Sequence, residues 1–198
     1  SIIGYCEAAD APCKIESCLN QADVKFEYED ESIKSAFVGG LAGELSASKY
    51  PATIKNSGAF GDVSFTGTVN YIFVGGLVGR IKSDSSYDSS MLNCVSASAV
   101  NCEDAAMTTT SVGGIVGHAK GNKVTIDNVV SLGSLDAKDS QDTYVGGLVG
   151  YVEHASIKHS YWDSGASSVA DGKNAGEVTG CSKFNYHKCK LASDVTVG

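Results

Sequence analysis

The side chains able to do chemistry are acids, histidines and thiols, and no set of them forms a catalytic group. Asp84, Asp88, Asp136, Asp139 and Asp142 fall in Ser/Asp-rich stretches. Two carboxylates on one rigid face could cleave a glycosidic bond, but these acids show no recurring pairing and read as solvated loop charge. Their oxygen donors would suit calcium, yet no glycine-fixed calcium loop accompanies them. His154 and His159 stand five apart, which on a strand points them to opposite faces and argues against a shared metal. No nucleophile elbow, phosphate loop or metalloprotease helix motif occurs. The expectation is no enzyme, no metal and no cofactor.

The seven cysteines form three groups: Cys6, Cys13 and Cys18; Cys94 and Cys102; Cys181 and Cys189. No CxxC occurs, and no histidine sits at ligand spacing beside a pair, so zinc is a poor reading. Groups this tight suit local disulfides. We expect Cys94–Cys102, Cys181–Cys189 and one bond among the N-terminal three, with buried thiols as the alternative.

The elements that carry these residues follow from a repeat. Four segments nearly coincide: Phe37-Val-Gly-Gly-Leu-Ala-Gly43, Phe73-Val-Gly-Gly-Leu-Val-Gly79, Ser111-Val-Gly-Gly-Ile-Val-Gly117 and Tyr144-Val-Gly-Gly-Leu-Val-Gly150. Ser1-Ile-Ile-Gly4 reads as half of a fifth, so the chain is expected to open in mid-repeat as a piece of a longer array. The closing glycines lie 39, 36, 38 and 33 residues apart. A second column follows: Ile15, Ile54, Met91, Ile126 and Ile157. Two positions on stand Ser17, Asn56, Asn93, Asn128 and His159, and seven further on Val24, Val63, Val100 and Leu135.

Residues that recur like this stack on each other in successive laps. Glycine pairs, β-branched residues and short polar loops argue against helix, and no apolar stripe of helical period persists. About three strands of ordinary length fit each unit, for example the alternating stretch 61–73. The reading is an all-β parallel β-solenoid of four to five turns over residues 1–165, closed by a C-terminal cap over 166–198. Trp162 is expected to pack in the closing turn. At Val74-Gly-Gly-Leu77 a bend at the glycines would turn both apolar side chains inward. Ser17, Asn56, Asn93, Asn128 and His159 read as a structural ladder at a turn, because asparagine tolerates left-handed backbone angles.

Composition narrows the partners. The chain has 198 residues, a formal net charge of −8 and a pI near 4.9. A phosphate backbone or an anionic bilayer surface would repel it, so nucleic acid is disfavoured. No apolar run approaches the 18 or so residues of a membrane-spanning helix. From closing glycine to isoleucine column the distance varies as 11, 11, 12, 9 and 7 residues. Loops such as 45–53 and 82–90 therefore project from one edge, and in repeat proteins variable loops on a regular scaffold often bind.

The blocks Gly40-Leu41-Ala42-Gly43, Gly76-Leu77-Val78-Gly79, Gly114-Ile115-Val116-Gly117 and Gly147-Leu148-Val149-Gly150 resemble the GLUG-motif repeat of bacterial surface adhesins and immunoglobulin-A peptidase-like surface proteins. Ser160-Tyr-Trp-Asp163 is similar to the family's usual close of an array. The resemblance implies a right-handed parallel β-helix on the outside of a cell, without enzymatic activity of its own. The seven cysteines and the long units depart from the family's pattern, and leave a eukaryotic surface protein open beside a bacterial one.

The functional expectation is a non-catalytic extracellular adhesive or lectin-like module of a larger cell-surface protein. It would bind host glycan or protein through the loop edge at Lys49, Tyr50, Asp84 and Tyr87, where tyrosines give contact area at low entropy cost. A rigid spacer and a polysaccharide-acting β-helix enzyme are the alternatives.

Overall fold

A computed structural model describes residues 3–28, 33–84, 86–103, 108–137 and 143–163. The proposed C-terminal cap, Cys181, Cys189, Asp139 and Asp142 lie outside these residues. The described chain is all-β, a stack of parallel strands coiled into about four turns.

Each turn contributes strands to four sheets. Sheet A holds Ile3–Ala8, Ala42–Ala47, Val78–Ser83, Val116–Lys120 and Val149–Glu153. Sheet B holds Cys13–Glu16, Ala52–Lys55, Ser89–Ser96, Val124–Ser131 and Ser156–Lys158, with Leu19–Asn20, Gly58–Ala59 and Tyr161–Trp162 at its corner. Sheet C holds Val24–Tyr28, Val63–Gly67, Val100–Cys102 and Leu135–Ala137. Sheet D holds Ser35–Gly39, Tyr71–Gly75, Thr109–Gly113 and Thr143–Gly146. A turn thus has four main strands rather than three. The alternating stretch 61–73 is not one strand: it breaks after Gly67, whose φ of 142° is open to glycine, and its halves enter sheets C and D.

The columns read from the sequence are strand registers. Ile15 pairs with Ile54, Ile54 with Met91, Met91 with Ile126 and Ile126 with Ile157. Val24, Val63, Val100 and Leu135 are paired in the same way. Like residues meet because one turn buries no apolar face until the next covers it.

The interior is divided in two. One cluster lies between sheets A and B and includes Leu41, Leu45, Ile54, Leu77, Ile81, Met91, Ile115 and Ile126. The other lies between C and D and includes Val63, Phe65, Ile72, Val74, Val100 and Val112. The glycine pair makes the division. The chain bends at Gly76 and Leu77, between the Tyr71–Gly75 and Val78–Ser83 strands. Val74 then enters the C/D cluster and Leu77 the A/B cluster, both with no exposed surface. At this waist a Cβ on Gly40, Gly76, Gly114 or Gly147 would strike Ala59, Ser96, Ser131 or Trp162 from the B corner opposite. Trp162 takes the last waist position, partly buried against the A/B core.

The closing glycines hold sheet A against sheet D. A Cβ on Gly79, Gly117 or Gly150 would lie 2.5, 2.6 or 2.7 Å from the backbone nitrogen of Val38, Val74 or Val112. No larger residue permits that approach.

Candidate functional site

The expected loop edge is the arch from sheet A to sheet B. Ala47 pairs with Ser83 and Ala52 with Ser89, so residues 48–51 lie in one arch and Asp84 and residues 86–88 in the stacked arch of the next turn. These loops are shorter than expected, because residues 45–47 and 82–83 continue the A strands. Their backbones are tied down. Lys49 and Tyr50 both donate their N–H to the Ala8 carbonyl at 2.9 Å, Asp84 to Ala47 at 2.9 Å, and Tyr87 to Asp84 at 3.2 Å. Lys49 and Asp84 are exposed, and Tyr50 and Tyr87 keep 41% and 38% of their surface in solvent. The four residues therefore share one rigid edge. Asp88 on the same edge lies 3.9 Å from the Lys123 ammonium. Asp136 sits apart from them, on sheet C.

A second array follows from the bend and has no counterpart in the sequence reading. Sheets A and D turn their outer faces toward each other. On A the residue after each closing glycine forms the column Tyr5, Glu44, Arg80, His118, Tyr151. On D the column is Phe37, Phe73, Ser111, Tyr144. Phe37 stacks on Phe73 with centroids 5.5 Å apart, Phe73 lies 4.9 Å from His118, and His118 lies 5.1 Å from Tyr151. The Arg80 guanidinium sits 4.1 Å above the Phe37 ring, a cation–π geometry. Its Nη2 donates to Glu44 at 2.6 Å, and Lys82 approaches the other Glu44 oxygen at 3.3 Å. Two cations thus hold a carboxylate that is nearly out of water. Burial pushes the His118 imidazole down to about 4, against the opposing pull of Glu153. It is neutral at physiological pH, with its ring 3.7 Å from that carboxylate. The signal was present in the sequence: after a repeated block the position following the last glycine changes in character from turn to turn, as Tyr, Glu, Arg, His and Tyr.

The polar column lines the outer corner of sheet B. Ser17, Asn56, Asn93, Asn128 and His159 all have left-handed backbones, with φ of 54°, 49°, 54°, 53° and 42°. Asn128 donates its amide to Asn93 at 2.8 Å, and Asn93 to Asn56 at 3.1 Å. His159 keeps the backbone angle but leaves the amide row, its Nδ1 lying 2.8 Å from Asp127. His154, also left-handed, directly follows the Val149–Glu153 strand, and among the described residues no group of three or more potential metal ligands gathers anywhere. Beside the first rungs runs a groove of about 420 Å³, lined by Ser17, Leu19, Asn56, Gly58, Phe60 and Val95 among others.

Of the expected bonds, the structure has the one among the N-terminal three cysteines and lacks Cys94–Cys102. Cys6 and Cys13 are bonded, joining the first A strand to the first B strand across their arch. Bonds of this kind form and persist in oxidising compartments. Cys94 and Cys102 are not joined. The B-to-C corner between them sends Cys94 into the A/B core and Cys102 into the C/D core. The Cys94 thiol donates to the Leu92 carbonyl at 3.2 Å, and burial raises its pKa. Cys18 is a half-buried thiol at the groove.

A comparison with protein-family models finds no match, and comparisons with curated proteins and with solved structures find no significant one.

Proposed function

We propose that this chain is a non-catalytic adhesive or lectin-like module of an extracellular surface protein, in keeping with its GLUG-like repeat. It binds a glycan or protein of a host or neighbouring cell through the edge formed by Lys49, Tyr50, Asp84 and Tyr87. One observation carries the reading: two tyrosines stand half-exposed on stacked arches whose backbones are hydrogen-bonded in place. Rigid aromatic anchors contribute contact at little entropic cost. A non-catalytic role is favoured because the carboxylates of the A/D array, Glu44 and Glu153, face cations rather than each other. The Cys6–Cys13 bond supports the extracellular placement.

A mammalian glycan array and a cell-binding assay test this, using the wild-type chain and the Tyr50→Ala/Tyr87→Ala variant. Binding that drops at least tenfold in the variant is the expected result. Binding that survives in full removes this edge, and a wild-type chain that binds nothing makes the protein a spacer.

A further inference from the structure

The groove on the outer corner of sheet B is placed at the end of a polarised chain of amides. Asn128 donates to Asn93 and Asn93 to Asn56, so every rung points its N–H₂ toward the first turn. The next rung is missing. Ser17 occupies it with the same left-handed backbone but a side chain too short to accept. Among the described residues the Asn56 amide nitrogen has no hydrogen-bond acceptor. The ladder therefore ends in an amide donor that faces one vacant amide position.

The groove is cut at that position. In the outward column next to the ladder, Gly58 stands between Leu19 and Val95, with which it is paired. The place of its missing side chain is taken by Phe60 and Val95, whose Cε2 and Cγ1 lie 3.0 and 3.1 Å from where a Gly58 Cβ would stand. The Phe60 ring thus lies close against the Gly58 backbone and forms one wall of the groove. Leu19 and Phe60 keep 57% and 47% of their surface exposed. A volume of about 420 Å³ suits a small ligand rather than a chain segment. A ligand that fits must carry an amide to take the vacant rung, joined to a compact ring with an apolar face for Leu19 and Phe60.

We propose that this groove binds a 2-acetamido sugar, the acetamido carbonyl accepting from Asn56 Nδ2 one strand spacing beyond the last rung and the sugar face resting on Phe60 and Leu19. The site stands at the far end of the B strand from Tyr50, so its fate and that of the tyrosine edge are separable.

The experiment is an NMR titration of the whole chain with N-acetylglucosamine, glucose and N-acetylasparaginamide. N-acetylglucosamine should shift the backbone amides of Cys18, Leu19, Asn56 and Gly58, and glucose should bind at least tenfold more weakly. Ser17→Asn should fold normally, since asparagine holds this backbone angle in three other turns. It completes the ladder, occupies the vacant rung and should weaken the sugar at least tenfold. Phe60→Ala, at an exposed position, should weaken it as well. Equal binding of glucose, undiminished binding by Ser17→Asn, or no shifts at these amides would overturn the proposal. So would tighter binding of N-acetylasparaginamide, which would make the groove a peptide-amide site. The Tyr50→Ala/Tyr87→Ala variant should leave this titration unchanged whatever it does to adhesion.

Discussion

Gly76 faces Ser96 across the waist of the coil, and the Ser96 hydroxyl fills the space that a Cβ on Gly76 would need. Gly114 stands in the same relation to Ser131. The bend that separates the two cores exists because these residues have no side chain.

Glycines of one motif should therefore differ sharply in their tolerance. Gly79→Ala would press a methyl into the Val38 and Phe37 backbone, and Gly76→Ala into Ser96 and the Gly114 carbonyl. Each should lose about 1–3 kcal/mol or more in urea unfolding, the scale of overpacking. Gly4, the same motif position in the first turn, has nothing within 4 Å of its Cβ site. Gly4→Ala should stay within about 0.5 kcal/mol of wild type. Equal losses at Gly4 and Gly79 would contradict the packing of sheet A on sheet D.

Asn93 does two jobs, which substitution separates. Asn93→Gly keeps access to φ of 54° but removes both amide bonds of the rung. It should cost about 1 kcal/mol, since these bonds are exposed. Asn93→Ala loses the bonds and also carries the left-handed penalty of about 1–2 kcal/mol. Thermal melts should rank wild type above Gly and Gly above Ala. If Ala proves the better tolerated, the backbone role is wrong.

The buried imidazole makes stability depend on acid. Folding depresses the His118 pKa to about 4 from the ordinary 6.5, chiefly through burial. The unfolded chain therefore binds the proton first as pH falls. The His118 contribution is complete above pH 6.5, erodes between 6.5 and 4, and is gone below. The loss amounts to at most about 3 kcal/mol. His118→Phe preserves a ring between Phe73 and Tyr151 and should flatten this part of the profile. Parallel profiles for wild type and variant from pH 7 to 4 would show that His118 is solvated.

Cys6–Cys13 closes a short loop in the first turn, whose A, B and C strands have a described neighbour on one side only. Replacing both by serine should cost about 2–3 kcal/mol, the loop-closure value. Peptide mapping after alkylation should recover Cys6 and Cys13 linked, and Cys94 and Cys102 each carrying the label. A Cys94–Cys102 peptide would reverse the assignment of those residues to separate cores.

Register was legible from the sequence because stacking repeats the same residue at the same place. Ile54 over Ile15, and Asn93 over Asn56, are visible as columns before any coordinates. What the sequence concealed was the direction of each bend. Val74 and Leu77 read alike as apolar, and only the packing of Gly76 on Ser96 sends them into different cores. The same ambiguity produced the expected Cys94–Cys102 bond, since eight residues of separation say nothing of the corner between. It also hid the A/D array, whose members meet only because sheets A and D fold toward each other. The loop edge was easier to find, because changes in length reveal an arch without any knowledge of its direction.

The register itself can be measured directly with spin labels on Lys14→Cys and Ser156→Cys. These positions end the chain of pairs Lys14, Thr53, Ser90, Thr125, Ser156, four strand spacings along sheet B. At about 4.8 Å per spacing, their backbones lie about 19 Å apart although the sequence between them runs through most of the repeats. With Cys18, Cys94, Cys102, Cys181 and Cys189 replaced, electron–electron dipolar spectroscopy should give one narrow distance near 2 nm, broadened only by the label arms. A distribution centred beyond about 4 nm, or one without a defined maximum, would mean that the turns do not stack in register.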